Sequence, residues 1–131
     1  MQVVHPIDIE DALRIDLMEL ESEYRFLCPP LPPDLKAGDV LITRVGGARV
    51  SGASHDHDVS IDCYAEDDAE AVYMANEVHG LVASLPLRDT ETQYSDASAN
   101  LPYHNNDPRA PQLARQTFRA SLTCPGTRIS F

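Results

Sequence analysis

The chain has 131 residues, 21 of them acidic and 10 basic, for a net charge of −11. That length fits one domain with a core of its own, and the charge excludes a surface built to grip nucleic-acid phosphates, which takes clustered Lys and Arg. No apolar run of about 18 residues exists to cross a membrane. The start Met1-Gln2-Val3-Val4-His5-Pro6 lacks the basic and apolar regions of a signal peptide. Cys28, Cys63 and Cys124 form neither a disulfide framework nor a zinc pattern, which suits a reducing cytosol.

Ile9, Leu13, Leu17, Leu20 and Tyr24 recur at helical spacing and predict an amphipathic helix over 8–24, with Asp8 as its N-cap. The run Cys28-Pro29-Pro30-Leu31-Pro32-Pro33 cannot continue it and reads as a stiff extended connector. A β-branched stretch predicts a strand over 39–45, closed by the turn chemistry of Gly46-Gly47. Alternation predicts a half-buried strand over 58–64, with Val59, Ile61 and Cys63 on one face. A capping box at Asp67–Glu70 opens a helix over 67–85, which Gly80 weakens by about 1 kcal/mol without ending it. Residues 87–111 read as a long polar loop, with 90–94 as a candidate short strand inside it. A long strand follows over 112–124, with Ala114, Phe118, Ala120, Leu122 and Cys124 on one face. One antiparallel sheet with two helices packed on one face buries every stripe, so the fold class is α+β, a single domain over 1–131.

Three constellations carry candidate chemistry. His55-Asp56-His57-Asp58 supplies metal-ligand types, but in a strand the two histidines fall on one face and the two aspartates on the other, so a four-ligand site would need partners from elsewhere; a polar lead-in to the strand is the better explanation of the run. Asp62, Glu66, Asp67, Asp68 and Glu70 form an acidic cluster without the frame of an EF-hand, and the helix start accounts for Asp67 and Glu70. The cysteines lie on apolar faces or beside prolines, and no nucleophile elbow or phosphate loop is present. No catalytic residue, metal or cofactor is expected.

Charge is divided unevenly. All 21 acids lie in residues 1–107, while 108–131 hold Arg109, Arg115, Arg119 and Arg128 and no acid. Such asymmetry suits head-to-tail self-association, or a last strand with arginines on its wet face.

Four stretches in order, Val40-Leu41-Ile42-Thr43-Arg44-Val45-Gly46-Gly47, Val59-Ser60-Ile61-Asp62-Cys63-Tyr64-Ala65, the helix from Asp68-Ala69-Glu70-Ala71 through Asn76-Glu77-Val78, and Asn106-Asp107-Pro108-Arg109-Ala110-Pro111 ahead of the last strand, resemble the tail terminator (tail completion) proteins of long-tailed bacteriophages. The resemblance covers about two-thirds of the chain and rests on order and spacing. It implies a non-enzymatic virion protein, assembled in the host cytoplasm. Its subunits would form a ring, usually a hexamer, that caps the head-proximal end of the tail tube, joins it to the neck proteins, and lets DNA pass without specific binding. An acidic lumen fits that passage. The proline connector at 29–33 matches no hallmark of the family. Arg109, Arg115 and Arg119 are then the expected contacts to a neighbouring subunit or partner, and loop 87–111 is either an arm reaching a neighbour or a disordered loop. Competing readings are a head-closure (stopper) protein or other connector of the neck, an adaptor for an unrelated partner, and, most remotely, a small metal-dependent hydrolase built on His55, Asp56, His57 and Asp62.

Overall fold

The computed structural model describes residues 1–130; Phe131, the last residue of the expected domain, lies outside them. In chain order the elements are β1 (Gln2–His5), α1 (Ile9–Leu20), β2 (Arg25–Leu27), β3 (Asp39–Arg49), β4 (Ser54–Ala65), α2 (Asp68–Ala83), β5 (Asp96–Ala99), β6 (Tyr103–His104), β7 (Ala114–Pro125) and β8 (Thr127–Ser130). The main sheet runs β2-β3-β4-β7-β5, with β6 also pairing β7; β2 is parallel to β3 and every other pair is antiparallel. β1 and β8 form a separate antiparallel ribbon. The fold is α+β, with both helices on one face of a mostly antiparallel sheet, as the patterning predicts.

Both helices start where their caps say. The Asp8 side chain accepts from the Asp11 amide at 3.4 Å, and the Asp67 side chain from the Glu70 amide at 2.9 Å. Ile9, Leu13 and Leu17 of α1 and Ala71, Met74, Ala75, Val78 and Val82 of α2 pack with Val40, Ile42, Val59, Ile61, Phe118 and Leu122 of the sheet into one core. Gly80 stays inside α2, as expected.

Several boundaries differ from the sequence reading. The first helix ends at Leu20 rather than Tyr24, because Glu21 turns extended and the Arg25 amide donates to the Gly38 carbonyl, drawing 25–27 onto the edge of β3. Gly46-Gly47 does not close β3. It forms a bulge that leaves Val45 out of register, and the strand continues to Arg49. The turn lies at 50–53, where Ser51 Oγ accepts from the amides of Ala53 and Ser54. Consequently β4 begins at Ser54, four residues earlier than its alternation suggests. The strand predicted at 90–94 is absent; Tyr94 is a buried plug whose hydroxyl donates to Asp16 at 2.6 Å, and the strand comes after it, at 96–99. Loop 87–111 is neither free arm nor disordered: β5 and β6 lay it along the outer edge of β7.

The proline connector also finds its place. Leu31 and Leu35 pack with Leu27, Leu41, Tyr64, Ala110 and Leu113 into a second, smaller apolar cluster on the face opposite the helices. Asp39, fully buried, anchors the connector's return. It accepts from Arg25 Nε at 2.8 Å and Nη2 at 2.6 Å and from the Lys36 amide at 2.9 Å.

Candidate functional site

The helix-free face of the sheet carries the polar residues of β4 and β7, and its two ends differ. At the β2 end it is closed by a hydrogen-bonded cluster around Asp107, which is 2% exposed. Tyr64 Oη donates to Asp107 Oδ2 at 2.8 Å, and the Arg109 amide and Nε donate to Oδ1 at 2.9 and 3.1 Å. Arg115 reaches Asp107 at 3.3 Å, donates through Nε to the Asn105 carbonyl at 2.5 Å, and stacks 5.9 Å from the centroid of the Tyr64 ring. Thr117 Oγ1 donates to the buried Asp62 at 2.6 Å and accepts from Asn105 Nδ2 at 3.2 Å. Burial raises the Asp107 carboxyl, but the Arg109 side chain and amide and the Tyr64 hydroxyl outweigh it and hold it at about 2. Burial pushes the Tyr64 phenol up to about 12, against Arg115 and with Asp107. Every member is satisfied, which makes this a clamp fixing residues 105–115 to the sheet rather than a site with a free acid or base.

Two of the three arginines expected at an interface, Arg109 and Arg115, are ion-paired within the subunit. Their counter-ion is Asp107, one residue before the acid-free segment begins, where a count of that segment overlooks it. Arg119 differs. Its amide donates to Asn100 Oδ1 at 2.6 Å, but its exposed guanidinium makes no ion pair among the described residues. It borders a shallow groove with Val45, Asp58, Ser98, Asn100 and Ser121 at the open end of the face.

The histidine-aspartate run divides as strand alternation requires. His55 and His57 point to the helix side, opposite Cys124 and Leu122. Asp56 and Asp62 lie on the other side, accepting from Thr123 and Thr117. The four residues of the hydrolase reading do not converge, and no group of three His, Cys, Asp or Glu among the described residues is placed to hold a metal. The acidic cluster is likewise dispersed. Asp62 is in the clamp, Asp67 caps α2, and Asp68 lies 3.6 Å from His104 Nδ1. Burial raises the thiols of Cys28, Cys63 and Cys124, the last to about 11, which leaves them poor nucleophiles.

Outside the clamp, the open features are strand edges. β2 covers β3 only as far as Leu41, so from Ile42 to Arg49 no strand lies outside it; the Arg44 amide is met by Glu10 Oε2 at 2.7 Å. At the other end of the sheet, β5 has no outer neighbour. Scanned against protein-family models and searched against curated proteins, the chain matches none.

Proposed function

We propose that this protein is a structural, non-enzymatic subunit that assembles into a ring, as a tail terminator that caps the head-proximal end of a phage tail tube and joins it to the neck. Its partners in this reading are further copies of itself in a hexameric ring, the tail tube protein and a neck (stopper) protein, with DNA passing through the lumen unbound, and its place is the virion. The observation that carries the reading is the sheet's pair of unpaired edges at opposite ends, β3 beyond Leu41 and the outer side of β5. Two different edges that meet make a heterologous contact, and a heterologous contact that closes makes a ring. The ordered motifs from residue 40 onward and the net charge of −11 agree with it. Arg119, the expected contact residue still unpaired, borders the open end of the polar face and is the residue assigned to the neighbouring subunit or tube.

Electron microscopy of the protein mixed with polymerising tail tubes, with light scattering on the protein alone, tests the reading. Tubes of uniform length with a ring at one end are expected. Uncapped tubes of unrestricted length would transfer the protein to the neck, as a stopper. Arg119→Glu should weaken ring formation without unfolding the subunit; an intact ring would remove Arg119 from the interface.

A further inference from the structure

The terminal ribbon of β1 and β8 rests on the most anomalous polar groups in the molecule. His55 and His57 occupy successive helix-side positions of β4, 5% and 3% exposed, with ring centroids 6.2 Å apart. Nδ1 and Nε2 of His55 and Nε2 of His57 are buried without a hydrogen-bond partner. A neutral imidazole carries one donor and one acceptor, and a protonated one carries two donors. These rings are thus already under-satisfied when neutral, and protonation adds a charge with no acceptor to receive it.

The surroundings favour a neutral His57 ring. On β3, Arg49 lies opposite His55 and Gly47 opposite His57, and Arg44 lines the same cavity of about 350 Å³ together with Pro6. From β7 come Leu122 and Cys124. The carboxylates of Asp56 and Asp58 flank the rings along β4 but belong to its other face, and Asp56 is held there by Thr123. Asp8 and Glu10, before and within α1, border a separate groove beyond Arg44. On the ribbon, the exposed His5 ring is bonded to the Pro6 carbonyl, and Arg128 pairs with Val4. Burial, then the neighbouring His55 and Arg44, holds His57 below its ordinary pKa.

The lid over these rings is thinly attached. A Cβ on Gly126 would stand 2.3 Å from the His5 carbonyl oxygen and 2.9 Å from His55 Cε1, so the β7–β8 junction lies directly on the ring. The ribbon is tied to the β3–β4 hairpin by Arg49 Nη2 on the Val4 carbonyl and by the Gly126 amide on the Ala53 carbonyl, both at 2.9 Å. All eight ribbon residues except Val4 are exposed. Such a unit opens below the global unfolding free energy.

We propose that the buried pair His55–His57 forms an acid-sensitive latch that works through His57: with His57 neutral, the β1–β8 ribbon seats over the pair against the hairpin; a proton on His57 places an unpaired charge beside His55 and releases it. A ring whose closed-state pKa is depressed stabilises the closed state above its free pKa of about 6.5, and that stabilisation fades as pH falls below it. The gain in opening from one such ring is at most about 30-fold at pH 5.

Amide hydrogen exchange at pH 7.5, 6 and 5, corrected for intrinsic rates, tests the latch. Opening of β1 and β8 should rise severalfold, up to about 30-fold, toward pH 5 while α2 and β7 stay protected. His57→Leu should flatten that rise, and His5→Gln, on the exposed ring, should preserve it. A ribbon with pH-independent protection, an equal rise in His57→Leu, or a parallel loss across α2 would each overturn the proposal. If His57→Leu fails to fold, NMR titration of the wild-type imidazole Cε1–H signals decides instead. Ribbon opening that follows the His57 titration supports the latch, and opening independent of it overturns it.

Discussion

The two ends of β3 and β4 are built from the same pair of strands and live in different surroundings. Near β2, the consecutive residues Val40, Leu41 and Ile42 of β3 and Cys63, Tyr64 and Ala65 of β4 are all buried, because helices cover one face and the connector with residues 105–115 covers the other. At the hairpin end β3 is exposed from Arg44 to Arg49, and β4 buries only alternate residues, two of them histidines. An unbroken apolar run marks a strand covered twice, and alternation marks one covered once. The molecule is thus a doubly covered core at one end and a singly covered β3–β4 hairpin at the other, with its open edge on the part that contributes least apolar burial.

If that contrast is right, the largest loss comes from the core. Phe118→Ala, at a fully buried position contacted edge-on by the His79 ring, should cost about 3–5 kcal/mol in urea unfolding. A cost below about 1 kcal/mol would break the comparison outright. Asp107→Asn should cost about 2–3 kcal/mol by stranding Arg109 and Arg115. Its sign with pH is fixed. The wild-type carboxyl is depressed to about 2, so its stabilisation is present above the ordinary carboxylate value of about 4 and is lost as pH falls toward 2. The variant should lack that part of the acid profile. Gly47→Ala places a Cβ 2.2 Å from the Asp56 carbonyl oxygen at φ +147°, and should cost about 1–2 kcal/mol, with faster exchange confined to 45–54. Gly80→Ala meets no atom within 4 Å and should raise stability by about 0.5–1 kcal/mol in thermal melts. Val50→Ser, 57% exposed on the hairpin, should stay within about 0.5 kcal/mol. A larger cost there would mean that the hairpin tip is packed after all.

What the sequence disclosed follows the range of the interactions. α2 was legible because its stripe and the Asp67 cap are local, and so was the alternation of β7. β2 was not, since three residues become a strand only when β3 arrives beside them and Gly38 accepts the Arg25 amide. The ribbon of β1 and β8 joins residues more than 120 apart, and nothing near either strand signals it. Gly46-Gly47 announced special backbone correctly but not its kind, because bulge and turn ask for the same residue. The clamp was half visible. Asn106-Asp107-Pro108-Arg109 stood out as a motif, but the role of Asp107 depends on Tyr64 and Arg115, which reach it from separate strands.

The long ladder between β4 and β7, twelve paired residues from Ser54↔Pro125 to Ala65↔Ala114, also fixes when the protein can fold. The middle of the sheet joins the middle of the chain to nearly its end, so contacts are distant in sequence and loop closure precedes most of the gain. During synthesis, everything through α2 is made while one side of β4 still has no partner, and it stays so until residues 114–125 have left the ribosome. Polypeptides stopped before that point carry a strand with one bare edge, the form in which nascent chains associate wrongly. Slower translation across residues 66–113 therefore lengthens the interval in which β4 stands without its partner.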